Sequence, residues 1–499
     1  MKVALIPLDE RPVNTRYPRM IAEIAGADVL LPPPELLPKL RQPGDPEGLF
    51  AWLSDASAHA DRRIISAETL LYGGLIASRI TDESPMDIIQ RAAHLAALPP
   101  LPTTAFNLIM RIPDADDAIE EPAYWGQYGR RLHRLSQLLH RRDLGEDVHE
   151  ALRALLAAIP QEVIGDFMRR RLRNHTVNLT LLHMAADGLF DLLVLSSDDT
   201  SEYGMGTQEK GWMGMWARRL NLSEDRVLMY PGADEVGCVL LMRALLAGRC
   251  RPTFYVHYAI AEDCERVAPY EDSPIRVTVE RQIRALGGQL SDDREGADFV
   301  VAVNPPSRIG QEYDAALENF ALEQARRAPF LELFVRRVRD WVETGRRVIV
   351  CDVAYPNGSD PDLIAGLLAE VDLTRLSAYG AWNTAGNTIG VALAQGVAAS
   401  MAASAAQEAQ QRFLLHRFIE DWGYQHVVRQ QIRDALERET GRRDTTPDNE
   451  AATVERIHAA LNALLPQLGA LAAGWRIARV RLPWHRTFEV DFDLEKDGT

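Results

Sequence analysis

Over its first 400 residues the chain repeats one pattern: a short β-rich apolar run, a polar loop carrying acids, Asn, Gly or Pro, then a segment of helical periodicity. That alternation constrains the fold more than any other feature. A parallel strand pair needs a long crossover connection, and a helix supplies it, so the pattern predicts parallel α/β architecture. Eight runs read as strands: 3–8, 63–67, 106–112, 192–196, 227–230, 299–303, 347–353 and 376–381. Eight is the strand number of a (β/α)8 barrel, the fold expected for a catalytic domain over residues 1–400. Two further runs, 27–31 and 253–258, would bring the count to ten and keep a doubly wound parallel sheet, or two α/β units, as the alternative. Residues 401–475 read as a helical region. Residues 476–499 read as a small β element, two alternating strands around Pro483-Trp484-His485. The long stretch 122–190 is helix-rich, and its arginines, Arg169 to Arg173, are expected on a solvated helix face.

The apolar run Leu192-Leu193-Val194-Leu195-Ser196-Ser197 stops on two adjacent acids, Asp198 and Asp199. Like charges that close raise one pKa, so one carboxyl can hold a proton at neutral pH while its neighbour stays ionised. Acid/base chemistry needs that division. A helix N-cap with a second acid favoured by the dipole is the purely structural explanation of the same pair. The loop that follows, residues 200–206, is polar and contains glycine, as binding loops often are.

Ligands of parallel α/β folds bind beyond the carboxyl ends of the strands. The residues just after each run are polar and consistent in type: Asp9, Glu10, Arg11 and Asn14; Glu68 and Tyr72; Arg111 and Asp114; Asp198 and Asp199; Asp234 and Glu235; Asn304; Asp352, Tyr355 and Asn357; Trp382, Asn383 and Asn387. Carboxylates and amides can each engage vicinal hydroxyls, and an aromatic face can cover the apolar face of a sugar ring. This set therefore predicts a small-carbohydrate pocket. Asp198 and Asp199 are its catalytic candidates, and Asp9, Arg11, Asn14, Glu68, Tyr72, Asp234, Glu235, Asp352, Tyr355, Asn357, Trp382 and Asn383 contact the substrate. Helix capping is the competing explanation for some of the Asn and Asp positions, and it fits Asp360 well.

Other chemistries are less well served. The 71 acidic against 55 basic side chains give a formal charge of −16, which opposes nonspecific binding to nucleic acid or an anionic membrane. Cys238, Cys250, Cys264 and Cys351 form no CxxC pair, and no HxH or HExxH occurs, so no resident metal or other cofactor is expected. Clustered acids also bind Mg²⁺, so a Mg²⁺-dependent phosphoryl or nucleotidyl enzyme through Asp9, Asp198 and Asp199 is the alternative enzyme class, though without a GxxxxGK[ST] loop. A noncatalytic sugar-binding protein is the alternative outside enzymes. No GxSxG elbow is present. Neither a signal-peptide pattern nor an apolar run of membrane-spanning length is seen, so a cytoplasmic location is expected. Oligomeric state is not encoded in any pattern found.

The opening Ile6-Pro7-Leu8-Asp9-Glu10-Arg11-Pro12-Val13-Asn14, with the Ser196–Asp199 loop and the Ala381–Thr384 segment, resembles a bacterial family catalogued as a domain of unknown function. That resemblance covers most of the chain and implies no activity. Two short motifs also resemble retaining hexosaminidases of the O-GlcNAcase and bacterial hyaluronidase-like type, which carry an Asp-Asp pair after the fourth barrel strand and a Trp-Asn segment later. The resemblance implies a substrate-assisted retaining mechanism, an exception to the two-carboxylate scheme. Asp198 would then orient the 2-acetamido group, and Asp199 would be general acid and then general base. Thr384 and Ala385 follow Trp382-Asn383 here, where those enzymes tend to carry an aromatic residue and proline. Within the same class, a conventional pair of Asp199 with Asp234, Glu235 or Asp352 is the rival.

Overall fold

A computed structural model describes residues 1–197, 200–314 and 317–496. Its first six strands, β1 (Lys2–Ile6), β2 (Asp28–Leu30), β3 (Arg62–Ser66), β4 (Thr103–Ile109), β5 (Leu192–Ser197) and β6 (Val227–Pro231), form one open sheet in the order β2-β1-β3-β4-β5-β6. The next five, β7 (Thr253–Tyr258), β8 (Gln289–Leu290), β9 (Phe299–Asn304), β10 (Val348–Asp352) and β11 (Ala378–Gly380), form a second sheet in the order β11-β10-β9-β7-β8. Every pair in both sheets is parallel.

The expected closed barrel over residues 1–400 is therefore replaced by two open sheets. The reason is local to β1. Its two edges are taken by β2 and β3, so it has none left for the last strand that closure would require. The run at 27–31, outside the eight-strand count, supplies the strand that blocks closure. Numbered within its own sheet, each sheet begins with the order 2-1-3-4-5, the flavodoxin-like order, which reverses direction between its first and third strands.

The chain divides into two compact units, residues 1–10, 28–244 and 270–272 in one and residues 11–27, 245–269 and 273–499 in the other. In the first, Ile6, Ile65, Ala105, Leu193 and Leu195 pack with Leu49, Leu53, Ile88, Val177, Leu181 and Met213 from the crossover helices. In the second, Val300, Ala302, Val348 and Val350 share a core with Phe334, Val338, Leu363 and Leu367. That core also takes in Phe418 and Trp422 from the helical stretch, and Ile477, Val480 and Phe492 from the tail. The tail is an antiparallel hairpin of β12 (Trp475–Arg481) and β13 (Asp491–Lys496), joined through Pro483–His485. Among the described residues no helix is long and apolar enough to cross a membrane.

The arginine run departs from expectation. On the helix Gln161–Ala186 Arg169 is exposed, but Arg171 and Arg173 are buried. Arg171 holds Glu209 with two hydrogen bonds of 2.9 and 2.7 Å, and Arg173 donates to the Ser78 carbonyl at 2.6 Å. Burial of a guanidinium requires such partners.

Candidate functional site

The reversal point of the first sheet lies between β1 and β3, where crossovers leave in opposite directions and open a crevice at the carboxyl ends. Asp9 follows β1 and Glu68 follows β3, and both are buried. Glu68 opens a single π-helical turn, Glu68–Tyr72, and its carboxylate accepts the Leu108 N–H of β4. Thr69 ties this turn to the β1 exit by donating to the Leu8 carbonyl at 2.5 Å. Glu10 accepts the Leu40 N–H at 2.8 Å. Tyr72 is buried under the Arg173 guanidinium, 5.4 Å from its ring, and burial pushes its hydroxyl pKa upward against the pull of that cation.

At the other end of the same edge, β5 finishes on Ser196 and Ser197, whose buried hydroxyls have no hydrogen-bond partner among the described residues. Asp198 and Asp199 come next in sequence and lie outside the described residues. β6 pairs with β5 in register, Ser197 opposite Pro231, and runs into Asp234 and Glu235, both buried. Gly232 makes this exit possible. Its φ is +137°, and a Cβ there would stand 2.0 Å from Glu235 Oε1. Only glycine leaves the carboxylate that space.

A small cavity beside these strand ends is lined by Arg111, His133, Ser136, Ser197, Tyr203 and Gly206, among others. Its walls are well tied. Ser136 Oγ accepts the Met205 N–H at 2.7 Å and His140 Nδ1 accepts the Gly204 N–H at 3.1 Å, capping the helix Met205–Arg219 from a neighbouring helix. Arg111 is held by Glu120 at 3.1 Å and Glu121 at 2.9 Å. Burial raises the Glu121 pKa, and Arg79 and Arg111 oppose the rise.

The second sheet carries its own polar edge. Asn304 ends β9 opposite Asp352, which ends β10. Asn304 Nδ2 donates to Asp352 at 2.9 Å and to Asp360 at 3.2 Å, the Asp360 N–H donates to Asp352 at 2.6 Å, and Arg327 donates to Asn304 Oδ1 at 2.5 Å. Burial first, and the Asp360 charge second, raise Asp352 to about 7. All four residues are buried, and Asp360 also caps the helix Pro361–Glu370. The arrangement is an internal hydrogen-bond network in which Arg327 Nε and Nη1 are buried with no hydrogen-bond partner among the described residues, Nε lying 3.4 Å from Asp360 as an ion pair.

Tyr355 packs against Phe320 and Tyr313. Trp382 is buried, with Phe488 packed against it at 6.4 Å. Asn357 and Asn383 take left-handed backbone, φ +56° and +66°, and the Asn357 N–H donates to the Asn383 carbonyl at 3.1 Å. Arg11 lies 4.3 Å over Trp484 and 3.8 Å from Glu489, and Asn14 is buried in the first turn of the helix Pro12–Ile24. The predicted set thus falls into two groups. Asp9, Glu68, Tyr72, Asp234 and Glu235 stand at one sheet's edge, and Arg11, Asn14, Asp352, Tyr355, Asn357, Trp382 and Asn383 belong to the second unit.

A family model described as a protein of unknown function, DUF4127, matches residues 3–493. The chain belongs to the DUF4127 family. Comparison with curated proteins and with solved structures gave no match.

Two groups of polar residues in this DUF4127 chain escape the sequence reading. The first is centred on Glu420 and Asp421 of an eleven-residue π-helical segment, Phe418–Val428, a geometry found often at functional positions. There Arg417 pairs with Asp421 and with Glu420, Tyr17 donates to Glu420, and Asp421 accepts the Ala381 N–H at 2.7 Å. Burial pushes Glu420 up to about 8, against the pull of Arg417, and pushes His416 down, so His416 is neutral. The i, i+4 spacing of Arg417 and Asp421 is the only sequence signal, and it fits a surface ion pair equally well. The second is the pair Glu312 and Arg429, 117 positions apart, for which no local pattern exists.

Proposed function

We propose that the carboxyl edge of the first sheet is the active centre of a glycoside hydrolase. In this reading Asp199 is general acid and then general base, and Asp198 orients the acetamido group of a 2-acetamido sugar. One observation carries it: the Asp198-Asp199 pair directly follows β5, and the neighbouring strand β6 runs into the buried acids Asp234 and Glu235. Adjacent strands lie about 4.8 Å apart. In this reading the acids that follow two neighbouring strands in sequence would supply the two carboxyl groups that glycosidases use. The net negative charge suits a neutral, polyhydroxylated substrate better than a phosphorylated one.

The same β5–β6 adjacency favours a second route within the class, with Asp234 or Glu235 as the second carboxylate in place of the substrate's acetamido oxygen. Trp382 and Asn383 have no part in either reading. A panel of p-nitrophenyl glycosides with and without the 2-acetamido group separates the routes. Preference for the acetamido sugars supports substrate assistance, and equal cleavage of plain hexosides supports the two-carboxylate route. No hydrolysis and no monosaccharide binding by the full chain would reject the glycosidase.

A further inference from the structure

At the carboxyl end of β10 a polar cavity is lined by Glu312, Tyr313, Asn357, Gly358, Gln425 and Arg429, among others. Glu312 fills part of it with both carboxylate oxygens engaged. Asn357 Nδ2 donates to Oε1 at 2.7 Å, and Arg429 Nη2 donates to Oε2 at 2.7 Å. A bound carboxylate would be held in the same way, one oxygen on an amide and the other on a guanidinium. The two partners differ in exposure. The Arg429 side chain is 6% exposed and that of Glu312 is 41% exposed. The cation is therefore built into the fold, and the carboxylate is the partner open to water.

The cavity has hydrogen-bonding capacity that Glu312 does not use. Arg429 Nη1 and Gln425 Oε1 are buried with no hydrogen-bond partner among the described residues. Gln425 is fixed by donating its amide to the Phe488 carbonyl at 2.8 Å. Asn357 is fixed through its backbone bond to Asn383. Buried groups left unpaired are costly, and a ligand with a carboxylate and a further polar group would satisfy them.

We propose that Arg429 and Asn357 form a carboxylate-binding subsite that Glu312 occupies as an internal competitor, and that a small carboxylate ligand displaces it. The exchange keeps Arg429 paired throughout, so it avoids stranding a buried cation. Glu312 moves into water, which it already meets. This subsite is independent of the glycosidase reading, since it concerns the second sheet's edge alone.

Acetate is the probe, with acetamide as its neutral isostere and sulfate as an anion of different shape at equal ionic strength. Thermal shift of the full-length protein reads the binding. Glu312→Ala should bind acetate at least about tenfold more tightly than the wild type. Acetamide and sulfate should give no comparable gain. Adding Asn357→Gly, which keeps the left-handed backbone but removes the amide, should weaken acetate again. Should Glu312→Ala melt too early to titrate, Glu312→Gln carries the same test, because it removes the charge and keeps the shape. Equal acetate affinity in wild type and variant, or an equal response to sulfate, would overturn the proposal.

Discussion

Single atoms decide the geometry at two residues. At Gly232 a methyl group would collide with the Glu235 carboxylate and sit on a backbone that L-residues avoid, so Gly232→Ala should destabilise the fold by about 1–3 kcal/mol. Gly145→Ala is the control, because its φ is +92° but nothing lies within 4 Å of a Cβ there. It should cost less in a urea titration. Asp352 supplies a pH signature. Its carboxyl, raised to about 7 by burial and by Asp360, keeps a proton in the folded chain where an unfolded Asp, with a pKa of about 3.9, has lost it. Stability from this group is thus fully present below about pH 4 and is lost as pH rises to about 7. Asp352→Asn does not titrate. The melting temperature of the variant minus that of the wild type should climb between those pH values and then level off, at about 2–4 °C per kcal/mol for units of this size. A difference that stays flat with pH would contradict this account of Asp352.

Elements were legible where burial leaves a pattern. Strands β1, β5 and β9 are covered on both faces, so each reads as an unbroken apolar run, and the residues after them stand out as polar. β8 left no trace, being two exposed residues, Gln289 and Leu290. The arginines of the helix Gln161–Ala186 were misread for a physical reason: a paired buried Arg and a solvated one look alike in sequence. The two differ in what removal does. Arg171→Leu leaves Glu209 buried without its bidentate partner and should cost about 3–5 kcal/mol, whereas Arg169→Ala should stay within about 0.5 kcal/mol. Equal urea midpoints for the two variants would show that the Arg171 pair contributes nothing. The hairpin of β12 and β13 was seen as an accessory element, yet Ile477, Val480 and Phe492 sit in the second unit's core, because alternation reveals one buried face and not what covers it.

For the whole molecule, the alternation of strands and helices determined the class but not the connectivity. Ten of the eleven described strands of the two parallel sheets were recognisable as runs, but nothing in a run tells which neighbours it will pair with. The choice between one barrel and two sheets turned on a three-residue strand, β2, at the edge of β1. The acids of the first sheet's edge were legible because each follows a strand directly, whereas Glu312 with Arg429 and Tyr17 with Glu420 are joined only by folding. Two parallel sheets with the same opening strand order give the chain two polar edges, and the glycosidase reading assigns the chemistry to the first. The most direct test is the dependence of turnover on leaving-group acidity in Asp199→Asn, with wild type and Asp198→Asn alongside. If Asp199 protonates the departing oxygen, its loss should depress turnover about 10²–10⁴-fold on substrates with poor leaving groups and far less on activated p-nitrophenyl glycosides. Asp198→Asn should impair both kinds of acetamido substrate alike. An Asp199→Asn protein that is folded and as active as wild type on a poor leaving group would contradict the claim.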